Sequence, residues 1–135
     1  MRKTTLAIWF VASLLLVTTG CQKLHFTKTL KLGPSHVEDF HFDPPAYNQH
    51  VTVTIEPTGG AVSAFLVKEA DSEKAARMLK RSSELNTNMV LGSRVSKGAA
   101  EKYSFEVDVP AKTDYALLVK AGTLAADVKI TVIGR

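Results

Sequence analysis

From His50 to Glu56 the chain alternates strictly, with Val51, Val53 and Ile55 on one side and Thr52, Thr54 and Glu56 on the other. A β-strand points successive side chains to opposite faces, so this stretch predicts a strand with one wet face. The same alternation returns from Tyr103 to Val109, where Tyr103, Phe105, Val107 and Val109 oppose Ser104, Glu106 and Asp108. It closes the chain with Val128, Ile130 and Val132 set against Asp127, Lys129 and Thr131. The stretch from Asp114 to Lys120 differs, because Ala116 and Leu118 make its second face apolar beside Tyr115, Leu117 and Val119. Such a strand belongs at the centre of a sheet. Between Ile55 and the apolar run Ala61 to Lys68 stand Pro57-Thr58-Gly59-Gly60, turn residues that predict a hairpin. Pro110 to Thr113 and Ala121 to Thr123 supply two further turns.

Weaker strand patterns run from Phe26 to Leu32 and from Val37 to Phe42, separated by Gly33-Pro34-Ser35, and another from Met89 to Ser96. Asp43-Pro44-Pro45 stops the second of these. One segment changes period: from Asp71 to Arg81, Ala75, Met78 and Leu79 sit at helical spacing, and Glu73 stands four residues before Arg77. The pattern predicts a short amphipathic helix capped by Asp71 or Ser72, followed by a mobile polar loop through Asn88. Together these elements predict an all-β fold, an antiparallel β-sandwich or jelly roll of about eight strands with one short inserted helix.

The N-terminus obeys neither period. Arg2 and Lys3 precede an uncharged run from Leu6 to Val17, the order of a secretory leader. That run is too short for the roughly 20 apolar residues a membrane-spanning helix needs. It ends in Val17-Thr18-Thr19-Gly20-Cys21, which resembles the lipobox of bacterial lipoproteins, with Thr18 where an aliphatic residue is usual. The resemblance implies cleavage before Cys21 and lipidation of Cys21, the chain's only cysteine, by acyl groups such as palmitate. Gln22, in place of an aspartate, implies passage to the outer membrane if the host has two. The expected organisation is a signal peptide over 1–20, a lipid-anchored segment over 21–30 and a β-sandwich domain over 31–135.

The stretch Val107-Asp108-Val109-Pro110-Ala111-Lys112-Thr113-Asp114-Tyr115-Ala116-Leu117-Leu118-Val119 resembles the closing hairpin of bacterial pre-peptidase C-terminal-type domains. Val51 to Val67 is compatible with the opening hairpin of the same family. The resemblance implies a small jelly-roll sandwich that accompanies secreted enzymes as a noncatalytic module. The inserted helix and the absence of an enzyme within this sequence depart from the family.

Charge alters this picture little. The chain carries 17 Lys and Arg against 13 Asp and Glu, and the leader takes Arg2 and Lys3 with it, leaving 15 basic residues. A domain so nearly balanced does not predict nucleic-acid binding, which uses a clustered basic face. The densest polar cluster runs from His36 through Glu38, Asp39, His41 and Asp43, with His50 beyond it. On a strand, Asp39, His41 and Asp43 share a face, and imidazole with carboxylate is a donor set that zinc accepts. The alternative is a solvated strand face. Ser63, Ser83, Ser93 and Ser96 lie on no nucleophile elbow. Glu38 and Asp39, being adjacent, point to opposite faces of a strand and cannot act as a glycosidase pair. Tyr103 and Tyr115 read as core aromatics rather than sugar platforms, and Gly59-Gly60 as turn residues. Lys74, Arg77 and Arg81 fall on one helical face, either solvated or resting on anionic headgroups.

The expectation is therefore an envelope lipoprotein acting as a noncatalytic binding or structural module near a membrane. It needs no catalytic, cofactor-binding or metal residues, and its partner is an envelope protein or a cell-wall glycan. A metal-binding site around His36 to His50 is the alternative function, and self-assembly through open sheet edges a third.

Overall fold

In the computed structural model, which describes residues 23–82, 84–96 and 98–135, the alternating segments bury the side that the pattern marks as apolar. The leader expected over 1–20 and the lipidation site Cys21 lie outside those residues. Val51, Val53 and Ile55 are fully buried, whereas Thr52, Thr54 and Glu56 keep contact with water. The strands are β1 (Leu24–Leu32), β2 (Val37–Phe42), β3 (Gln49–Thr58), β4 (Val62–Lys68), β5 (Val90–Arg94), β6 (Tyr103–Val109), β7 (Tyr115–Ala121) and β8 (Ala126–Gly134). One helix, α1 (Glu69–Arg81), and a 3-10 turn at Thr87–Met89 lie between β4 and β5. Strand β1 begins at Leu24, so pairing reaches back into the segment expected to serve only as an anchor.

Two four-stranded sheets form, in the orders β1-β8-β3-β6 and β2-β7-β4-β5, with every pair antiparallel. Every connection except the one through α1 crosses from one sheet to the other. This is a jelly roll.

The turns at Gly59-Gly60 and Pro110–Thr113 therefore do not close hairpins, contrary to expectation, and Pro57 and Thr58 remain in β3, paired with Val128 and Asp127. Each turn carries the chain over the end of the core, from β3 to β4 and from β6 to β7. The reason lies in how many faces each strand must bury. Strands β4 and β7 are apolar on both sides and need cover on both. They lie side by side in the middle of the sheet that α1 roofs. Strands β3, β6 and β8 each have a wet face and take the sheet whose outer side meets solvent. Alternation specifies a strand's faces and leaves its neighbour open.

Two apolar clusters result. Between the sheets lie Val51, Val53, Ile55, Val62, Leu66, Val107, Tyr115, Leu117, Val119, Ile130, Val132 and their neighbours. On the outer side of β4 and β7, Phe65, Val67, Ala116 and Leu118 pack against Ala75 and Leu79 of α1. Tyr103 spans the two sheets, its buried hydroxyl donating to the Val62 carbonyl at 2.6 Å.

The helix starts two residues earlier than its periodicity indicates, because β4 runs directly into it. Neither Asp71 nor Ser72 caps it: Lys68 occupies the N-cap without a side-chain bond, and Ser72 donates back to the Glu69 carbonyl at 2.8 Å. The Glu69 amide is satisfied instead by the Asp114 carbonyl at 2.9 Å. The flank expected to be a mobile loop is partly held, with Leu85 packed against the cluster under α1.

Candidate functional site

At one end of the sandwich β1, β3 and β7 begin and β2, β6 and β8 finish. The segment 43–48 and the turn after β6 meet there: the Lys112 amide donates to the Pro45 carbonyl at 2.7 Å, and the Ala111 amide to Asn48 Oδ1 at 2.9 Å. Lys112 adopts a left-handed backbone, φ 60°, to make this turn. Two shallow depressions open at this end. One, of about 440 Å³, is lined by Lys23, Leu24, His41, Asp43, Pro44, Pro45 and others. The second, of about 370 Å³, includes Asn48, His50, Asp108, Pro110 and Arg135.

Gln49 lines both depressions and is itself buried. The Tyr115 hydroxyl donates to its Oε1 at 3.4 Å. Burial raises the Tyr115 phenol to about 12, so it remains a donor at physiological pH. Its ring stacks on Phe42 at 5.1 Å, and Phe42 in turn meets Phe26 edge-on at 5.3 Å. Space for the Gln49 amide exists because residue 134 is glycine; a Cβ there would come within 2.5 Å of it.

Two histidines flank this end, on outer faces of opposite sheets. His41, on β2, directs Nδ1 to Glu69 and Nε2 to Asp39, both at 2.7 Å. His50, on β3, directs Nδ1 to Asp108 at 2.7 Å and Nε2 to Glu106 at 3.4 Å. Carboxylates on both nitrogens favour the cation. The bond to Glu69, then that to Asp39, raises the His41 pKa above 6.5; for His50 the bond to Asp108 leads.

The cluster expected between His36 and His50 is thereby divided. His36 sits at the opposite end of β2, where its carbonyl accepts from the Ala121 amide and its ring pairs with Glu38 at 3.0 Å. Asp39 and His41 do share a face. Asp43 stands beyond the end of β2, where it lines one depression together with His41. Among the described residues, no group of three or more His, Cys, Asp or Glu side chains is arranged to hold a metal ion. Ser63 is tied to the main chain of Ser96, accepting from its amide at 3.0 Å. Tyr103 and Tyr115 are core residues, 5% and 1% exposed. Lys74, Arg77 and Arg81 line one shallow surface on α1 with Met78, and Glu73 stands 4.0 Å from Arg77.

Register also assembles a feature that the sequence pattern does not reveal. On the outer face of the uncovered sheet, Thr27, Thr131, Thr54 and Ser104 stand in one row across β1, β8, β3 and β6. Thr54 and Ser104 hydrogen-bond at 2.8 Å. Each hydroxyl alone marks only a wet face.

Neither a protein-family model nor a curated protein matches the chain. Among solved structures it matches PliG of Aeromonas hydrophila, a periplasmic lysozyme inhibitor of g-type lysozyme, at 10% identity and a TM-score of 0.48, over 86% of this chain and 89% of that one.

Proposed function

We propose that the chain is an exported lipoprotein, acylated on Cys21, whose jelly roll is a noncatalytic binding or structural module held close to a membrane. The observation that carries this reading is the position of β1. It begins at Leu24, three residues after a cysteine that closes a lipobox-like leader. Three extended residues span about 10 Å, so an acyl group on Cys21 would hold the sandwich against the headgroups. Several acyl chains on one cysteine anchor stably, since each buried CH₂ contributes about 0.8 kcal/mol.

The noncatalytic part rests on the polar side chains. His41 and His50 are engaged on both nitrogens by carboxylates, and Ser63 is bonded to main chain. The partner is an envelope protein or a cell-wall glycan.

Intact mass of the protein from the membrane fraction tests the address, with Cys21→Ser expressed beside it. A chain starting at Cys21 and carrying acyl groups, lost in the variant, is the expected result. A soluble, unacylated chain overturns the reading. Crosslinking in intact envelopes then identifies the partner; recovery of lipid alone counts against a binding role.

A further inference from the structure

Among the described residues two large apolar side chains stand out into solvent: Tyr47, 71% exposed, and Leu124, 62% exposed. They occupy opposite ends of the sandwich. Leu124 lies in the turn from β7 to β8, against Gly60. Tyr47 lies between β2 and β3, where Pro44 and Ala46 are also exposed.

The segment bearing Tyr47 is braced. Two consecutive prolines restrict its backbone, Pro45 is buried, and the bonds from Lys112 and Ala111 fix it on either side of Tyr47. An exposed aromatic ring on a braced loop is held in place for contact. The same end carries the start of β1, since Lys23 and Leu24 line one depression together with Pro44 and Pro45.

Resting on the proposed acylation of Cys21, we infer that the 44–47 loop, with Tyr47 at its tip, docks into the headgroup layer of the anchoring bilayer and stands the sandwich on that end. The tether sets the choice of end. Three residues from Cys21 to Leu24 can reach at most about 10 Å, whereas the nine residues of β1 run about 30 Å toward the Leu124 end. Tyrosine suits the site chemically, because its ring partitions into the headgroup region while its hydroxyl stays hydrated. The charges at this end, Lys23, Lys68, Lys112 and Arg135 against Asp43, Glu69, Asp108 and Asp114, balance formally with the histidines neutral. The contact therefore relies on the ring rather than on anionic lipid.

Trp9, in the leader, is the chain's only tryptophan, so a tryptophan placed in the sandwich reports its own surroundings. Full-length Tyr47→Trp and Leu124→Trp chains, recovered from the membrane fraction, would be reconstituted in phosphatidylcholine vesicles with and without brominated acyl chains. Intact mass would be read on the same samples, and the parent chain sets the background. Docking predicts blue-shifted emission and quenching by brominated lipid for Tyr47→Trp, with water-exposed, unquenched emission for Leu124→Trp. An acylated Tyr47→Trp protein that escapes quenching overturns the docking and leaves the anchor standing, as does one whose emission shifts only when soluble glycan chains are added. Equal quenching of both variants overturns the choice of end. An unacylated mass overturns both the anchor and the docking.

Discussion

His41 and Glu69 meet at 2.7 Å and join the edge strand β2 to the first residue of α1, across 28 residues of sequence. Asp39 holds the other imidazole nitrogen at the same distance. Folding thus favours the protonated imidazole, and the His41 pKa rises above 6.5, first through Glu69 and then through Asp39. A raised histidine adds stability that is fully present below the unfolded value and is lost as pH climbs through the folded value. In Glu69→Gln, the His41 titration followed by NMR should move back toward 6.5. The melting temperature should fall relative to the parent below pH 6.5, and the two should converge at alkaline pH. Both groups are substantially exposed, so solvent screening keeps the effect small. A constant difference across all pH would show that Glu69 acts through packing instead.

Lys120 closes the other end of the helix. Its ammonium donates to the carbonyls of Leu79 and Ser82, main-chain groups at the C-terminal end of α1. A cation there also opposes the helix dipole. Lys120→Met keeps the stem and removes both bonds, and should cost about 1–2 kcal/mol. Amide exchange should accelerate in the last turn of α1 and remain unchanged in β3 and β8. Uniform acceleration would mean that the helix and the sandwich open together.

Gly92 permits the close approach of β5 to β6. A Cβ on residue 92 would lie 2.2 Å from Cγ2 of Val107, a buried side chain on the opposite sheet. Gly92→Ala should therefore destabilise by about 1–3 kcal/mol through overpacking. Val107→Ala removes the clashing methyl groups, so the double variant should lose less than the sum of the two single ones. Denaturant melts of all four proteins provide the comparison, and simple additivity would place the strain elsewhere.

Much of the architecture is legible in short stretches of sequence. The alternation at Val51–Ile55, Tyr103–Val109 and Val128–Val132 marks three strands and their buried faces, and the doubly apolar Tyr115–Val119 marks a central one. Helical spacing at Ala75, Met78 and Leu79 locates α1. The candidate site is less legible. His41 and Asp39 form a local pair, but the residues that complete the two histidine clusters, Glu69 and Asp108, are 28 and 58 positions from their histidines. Neither has a local mark.

By itself the sequence determines the number and kind of elements, because side-chain periodicity follows from backbone geometry over a few residues. It also supplies the lipobox-like pattern that ends in Cys21, whereas the start of β1 at Leu24 comes from pairing with β8. Only the tertiary structure decides which strands are neighbours. Turn residues at Pro57–Gly60 suit a hairpin equally well, and the chain crosses there because β4 needs apolar cover on both faces and finds it between the core and α1. The hydroxyl row, the Lys120 cap, the cleft that Gly134 leaves for Gln49 and the position of Pro44 and Pro45 beside the start of β1 all follow from that arrangement. Each depends on residues far apart in the chain, whose meeting is set by the burial of the whole core.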